Sequence, residues 1–194
     1  MKKDTREQIV RSIDTHSKMI AEFRQAGIDI IAAIAEAITD TLKRDGTVYI
    51  CGNGGSAADA QHIAGELVGR FCRERKALAA VALTTDTSIL TSIANDYAYE
   101  KVFARQAEAL IRSNDLLWAF STSGTSANVV AAVEIARNKG ARVIAFTGRS
   151  KSKLERMADL CFCADSESTA RSQEIHQLAY HIICDLVERS FADG

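Results

Sequence analysis

No proline occurs in the 194 residues. Glycine and polar residues must therefore end the secondary elements. The five cysteines, Cys51, Cys72, Cys161, Cys163 and Cys184, include no C-x-x-C pair. An odd, scattered set excludes a disulfide framework and a zinc knuckle. Cys161-Phe162-Cys163 instead alternates as strand residues do, with cysteine acting as a small hydrophobe, and a reducing cytoplasm is the expected location. No apolar run is long enough to span a bilayer, so no membrane contact is expected. The opening Met1-Lys2-Lys3-Asp4 leads into a polar helical pattern without the apolar stretch of a signal peptide. No block of one charge sign stands out, and a formal net charge of −1 argues against nucleic acid as a partner. What remains is ordinary for a globular protein, 47% hydrophobic and 25% charged. The length predicts a single domain over 1–194 with a proper core.

The first 45 or so residues read as two helices broken near Gly27. In the second, Ile30, Ile31, Ile34, Ile38 and Leu42 recur at helical spacing, with Lys43 and Arg44 in the last turn and Gly46 as the stop. The pattern then alternates. Strands are expected at Val48–Cys51, Ala79–Leu83, Leu116–Phe120, Arg142–Phe146 and Leu160–Cys163. Helices are expected after Gly55, around Ser88–Ala94, over Tyr99–Ile111, through Val129 and Val133, and from about Arg171 to Arg189. Short apolar runs alternating with helices indicate a parallel sheet covered on both faces. Ligands of such sheets sit beyond the carboxyl ends of the strands, where the strand order switches.

Two loops lie at that end. Gly52-Asn53-Gly54-Gly55-Ser56 links a strand to a helix and would offer free N–H groups and a positive helix end to an anion. It lacks the G-x-G-x-x-G spacing of a dinucleotide site and the lysine of a Walker loop; the plain alternative is a turn that needs glycine for its geometry. Ser121-Thr122-Ser123-Gly124-Thr125-Ser126 is rich in hydroxyls at a helix start, which suits a phosphate monoester. The plain alternative is helix capping by Ser126 or Thr125.

Downstream of the glycine turn, His62 and Glu66 share one helix face. On the closing helix Gln173, Gln177 and His181 recur at four-residue intervals, Gln173 and His181 offset by only ~80°. His176 is rotated ~140° from His181 and is not expected in the same site. If the two helices meet, two histidines and two oxygen donors would form a set that zinc accepts. Asn95-Asp96 reads as a polar break after an apolar helix, either a turn or a pair of sugar-hydroxyl ligands. Arg70 falls in the helical register of His62, as a counter-charge for a ligand or a surface pair.

The runs CGNGGSAADAQHIAGELVGRF, ANDYAYEKVFARQ, STSGTSANVV and RSQEIHQLAYHI resemble the sugar isomerase (SIS) domain family, and within it the phosphoheptose isomerases. The resemblance implies a flavodoxin-like α/β three-layer sandwich, a five-stranded parallel sheet with helices on both faces, preceded by N-terminal helices (1–45) that contribute to oligomerisation; the α/β core would span 46–194. It implies a homotetramer with active sites at subunit interfaces. The implied activity turns D-sedoheptulose 7-phosphate into D-glycero-D-manno-heptopyranose 7-phosphate, the entry to ADP- or GDP-heptose synthesis. By the same resemblance Glu66 and His181 are the acid/base pair, and His62, Glu66, Gln173 and His181 hold one zinc. Asn53, Gly54, Gly55, His62, Glu66, Asn95, Asp96, Ser121, Thr122, Ser123, Ser126 and Gln173 contact the substrate. One branch of the family binds the replication initiator instead of isomerising sugars, and looks to lack the Glu and the final His; this chain retains both. Another class senses sugar phosphates as regulators, with an attached DNA-binding segment not seen here. Arg75-Lys76-Ala77-Leu78 departs from the family, which often places proline there, and is expected to alter a loop more than the chemistry.

Overall fold

The computed structural model describes residues 3–192. Helices α1 (Lys3–Ala26) and α2 (Ile28–Lys43) come first. They are followed by β1 (Val48–Cys51), α3 (Gly55–Val68), β2 (Ala80–Ala82), α4 (Thr87–Asp96), a 3-10 turn (Tyr99–Lys101) and α5 (Val102–Leu110). The chain continues through β3 (Leu116–Ser121), α6 (Ala127–Asn138), β4 (Arg142–Thr147), α7 (Lys153–Met157), β5 (Leu160–Cys163) and α8 (Thr169–Arg189).

All five strands pair in parallel in the order β2-β1-β3-β4-β5, the doubly wound order of flavodoxin-like folds. β3 is buried along its whole length, so Leu116–Phe120 are apolar without alternation of polarity. Its side chains still alternate in direction. Leu116, Trp118 and Phe120 enter a core with Ile34, Ile38, Ile63 and Tyr180 from α2, α3 and α8. Leu117 and Ala119 enter a second core with Val102, Phe103, Val129 and Val133 from α5 and α6. Fully burying a side chain such as Phe120 or Ile38 contributes about 1.5–3 kcal/mol over leaving it exposed.

Five differences from expectation have physical causes. Asp45, not Gly46, takes the left-handed backbone after α2 (φ 55°). Gly46 is needed because a side chain there would collide with the Asn114 carbonyl. Helix α7 went unrecognised since five residues are too few to show a period; it starts at a capping box in which Ser152 and Glu155 each receive the other's backbone N–H. Asn95-Asp96 is not a break but the last turn of α4. Arg70 is outside the register of His62, because α3 ends at Val68 with Gly69 as its C-cap. The helix expected from Tyr99 opens as a 3-10 turn before α5.

Helix α1 rests on α2 and α8 and leaves Ile9, Val10 and Ile13 exposed at 48%, 46% and 59%. Among the described residues no helix is long and apolar enough to cross a membrane.

Candidate active site

Strands β1 and β3 are neighbours, with Cys51 level with Ala119. The chain leaves β1 toward β2 on one flank and β3 toward β4 on the other. The glycine turn and the serine loop therefore flank the switch point. Gly54 and Gly124 both have positive φ, 56° and 65°, a region open to glycine at little cost. Asn53 joins the two loops: its Nδ2 donates to Asn128 Oδ1 at 2.9 Å, and Asn128 Nδ2 donates to Asn53 Oδ1 at 2.8 Å. The Tyr99 hydroxyl adds a donor to Asn53 Oδ1 at 3.0 Å. Asn128 is buried on α6 and carried no sign of this role, since an isolated helical asparagine reads as surface.

In the serine loop the hydroxyls turn to one another. Ser121 Oγ lies 2.9 Å from Ser126 Oγ and 3.2 Å from Ser123 Oγ. Ser123 Oγ accepts the Thr125 N–H at 3.2 Å. Ser126 holds the N-cap position of α6 but makes no side-chain cap, and Gly54 before α3 makes none either. Neither helix has an acidic residue in its first turn. Both ends thus keep their positive character for a ligand, which decides against simple capping by Ser126. The Thr122 carbonyl accepts the Gly148 N–H at 3.0 Å and ties the loop to the end of β4. Gln173 arrives from α8: a side-chain carbon at Gly55 would lie 2.6 Å from its Nε2, so the absence of a side chain at Gly55 admits the Gln173 amide.

Helices α3 and α8 also bring His62, Glu66 and His181 together, with ligand atoms all within 4.8 Å of one another. His62 Nε2 is 3.0 Å from Glu66 Oε1 and 3.4 Å from His181 Nε2. On its other side His62 Nδ1 meets the Tyr180 hydroxyl at 3.0 Å, and that hydroxyl lies 3.4 Å from Asp59 Oδ1. Giving the hydroxyl proton to Asp59 leaves the Tyr180 oxygen to accept from His62 Nδ1–H. His62 Nε2 then points a lone pair at the carboxylate and at His181. Three electron-rich atoms facing one another call for a proton or a cation between them. Burial raises the Asp59 carboxyl to about 6, opposed by the Tyr180 hydrogen bond and by His62. Partial burial and then the adjacent His62 lower His181, while Glu66 raises it. A lowered imidazole pKa favours the neutral form that accepts protons near neutrality.

Gln173 and His181 are about two turns apart on α8, and the Gln173 amide sits against Gly55 at the start of α3. Gln177 is exposed beside His181 and lines a cavity with Ile13, His16 and Glu174. Asn95 and Asp96 are exposed and hydrogen-bond each other at 2.8 Å. His176 is fully buried, Nε2 against the Thr147 carbonyl at 2.9 Å, away from His181 as its rotation predicted. Tyr180 and Asp59, which orient His62, lie within the runs that resemble the family, where sequence reasoning assigns them no role.

Comparison with known proteins places these features in context. A family model described as the SIS domain matches residues 13–148. The phosphoheptose isomerase of Roseiflexus sp. (strain RS-1) is 52% identical over 184 residues, 95% of this chain and 91% of that protein. The solved phosphoheptose isomerase from Neisseria gonorrhoeae superposes with a TM-score of 0.90 at 41% identity, over 95% of this chain and 99% of that one. The one from Francisella tularensis gives 0.92 at 34% identity, over 95% and 98%.

Proposed function

This chain belongs to the SIS domain family and, within it, to the phosphoheptose isomerases, and we propose that its site converts D-sedoheptulose 7-phosphate into D-glycero-D-manno-heptopyranose 7-phosphate, the first step toward activated heptose. The observation that carries this reading is the meeting of a carboxylate and an imidazole, from helices distant in sequence, beside two anion-ready helix starts.

Moving a carbonyl between adjacent carbons requires a base at carbon and a proton carrier at the oxygens. Glu66 takes the carbon-bound proton, and His181 moves the proton between the two oxygens of the enediol. The hydroxyls of Ser121, Ser123 and Ser126, with the Thr122 segment and the free N–H groups of α6, hold the 7-phosphate. That remote binding energy orients the reacting carbons. Asn53, Gly54, Gly55 and Gln173 line the sugar between the two regions, and Asn95 and Asp96 are ligands for its hydroxyls.

His62, Glu66 and His181 fit zinc as a nitrogen and oxygen set whose lone pairs already converge. Gln173, from the same helix as His181, would complete the four-ligand nitrogen and oxygen set. When bound, the metal would polarise the sugar carbonyl and stabilise the enediolate. Glu66 cannot be a tight ligand and a free base at once, so one role yields during turnover.

The single domain spans 1–194, with 1–45 supplying subunit contacts in a homotetramer. Exposed Ile13 on α1 supports this, because it borders the cavity that reaches His181, and a partner covering Ile13 would close that cavity. Five unpaired cysteines support a cytoplasmic location. The initiator-binding alternative is not favoured, since Glu66 and His181 are both present and converge, although Ala57–His62 and Thr85-Asp86-Thr87 resemble that branch.

The test is turnover of sedoheptulose 7-phosphate by wild type, Glu66→Gln and His181→Ala. Rates near wild type in both variants would sink the assignment. Wild-type inactivity with specific capture of the replication initiator would favour the alternative.

A further inference from the structure

Seven residues beyond His181, Glu188 buries its carboxylate almost completely, with 1% of the residue exposed. Its Oε1 accepts the Phe71 backbone N–H at 2.7 Å, and its Oε2 accepts those of Cys72 and Arg73 at 2.7 and 2.8 Å. Three successive N–H groups turned on one anion form a nest. Arg75 encloses the arrangement with a side chain that has no exposed surface, its Nε 3.6 Å from Glu188 Oε1. The rest of the guanidinium goes to α3 and its exit. Nη2 donates to the Glu66 carbonyl at 2.7 Å, and Nη1 to those of Gly69 at 2.9 Å and Lys76 at 3.1 Å.

A continuous set of charge-assisted contacts therefore runs from α8 to the main chain of Glu66. The segment it anchors also presents Phe71, whose ring centroid is 5.7 Å from that of His181 with the planes tilted by 38°. Burying a carboxylate and a guanidinium stabilises little by itself, because desolvation consumes most of the attraction. What such a pairing supplies is a fixed geometry, and the geometry it fixes is the spacing of the two reacting side chains.

We propose that Glu188 and Arg75 are positioning residues for the isomerisation, locking the Phe71–Arg75 segment between α3 and α8 so that Glu66 and His181 keep their register across the substrate. This rests on the assignment of Glu66 and His181 as the acid/base pair.

The experiment compares the full chain as wild type, Glu188→Gln, Arg75→Lys and the double variant. Glutamine keeps the shape but turns an NH2 toward backbone N–H groups, and lysine keeps the charge but loses the fork. Two readouts are taken: steady-state kinetics on sedoheptulose 7-phosphate, and the imidazole Cε1–H resonance of His181 in substrate-free protein. A displacement of the pair lowers kcat by about tenfold or more while KM stays within about threefold. The double variant is no worse than the worse single one, because both act through the same segment. The His181 resonance shifts as the Phe71 ring moves. Folded Glu188→Gln with wild-type kcat and an unmoved resonance would overturn the proposal, as would a loss confined to KM. Should Glu188→Gln not fold, Arg75→Lys decides on the same two readouts. Inactive wild type would remove the functional assignment instead, and the resonance would still judge the positioning claim.

Discussion

The phosphate-side loops, at the starts of α3 and α6, and the imidazole–carboxylate cluster, on α3 and α8, are built in opposite ways. The loops lean on the main chain, through two positive-φ glycines and uncapped helix starts, and add several hydroxyls and a reciprocal side-chain amide bridge between Asn53 and Asn128. The cluster is a side-chain structure, with His62, Glu66 and His181 held by helix packing and by Tyr180 and Asp59 behind them. Backbone-built binding tolerates exchange of one hydroxyl because neighbours remain. Side-chain-built chemistry has no spare group.

The largest test of that contrast is Glu66→Gln. Removing a base typically costs 10²–10⁴ in rate, so kcat is expected to fall by about 10³ with KM little changed. Steady-state assays of the variant on sedoheptulose 7-phosphate check it.

Acid should weaken the loop side of the fold through His176. This imidazole lies among Phe120, Phe146 and Phe162, and its Nδ1 has no hydrogen-bond partner. Burial lowers it to about 4, with the Thr147 carbonyl opposing. Because the folded value lies below the ordinary 6.5, stability is full above pH 6.5 and falls as pH drops toward 4, by up to about 3 kcal/mol. Urea unfolding across that range measures the slope, and His176→Phe should flatten it. An unchanged slope in that variant would move the effect to another group.

Asn128→Ala should break the bridge between the loops. It strands a polar partner on Asn53, which costs about 2 kcal/mol in unfolding free energy. A rise in KM without a matching fall in kcat would place the damage on the binding side. The smallest effect belongs to Ser121→Ala, with KM raised about tenfold and kcat nearly preserved. A kcat loss as large as that of Glu66→Gln would erase the distinction between the two regions.

The same contrast explains what could be read from residues alone. Glycine turns after apolar runs announce themselves, because few residues tolerate the required backbone, and the sheet followed from alternation. The i, i+4 rule placed His62 beside Glu66. It also put Gln173 and His181 on one broad face of α8, the face from which the Gln173 amide reaches Gly55 and His181 reaches His62. Asn128, Tyr180, Asp59 and Glu188 left no local trace, since each gains its role from a partner far away in the chain. Asp45 shows the limit for turns: a glycine one residue on drew attention, yet its neighbour took the unusual backbone.

Helix α8 has a consequence for biosynthesis. The two loops that flank the switch point are encoded in the first two-thirds of the sequence, whereas Gln173 and His181 leave the ribosome only with the last helix. A nascent polypeptide short of α8 therefore lacks His181, which meets Glu66 only when α8 docks beside α3.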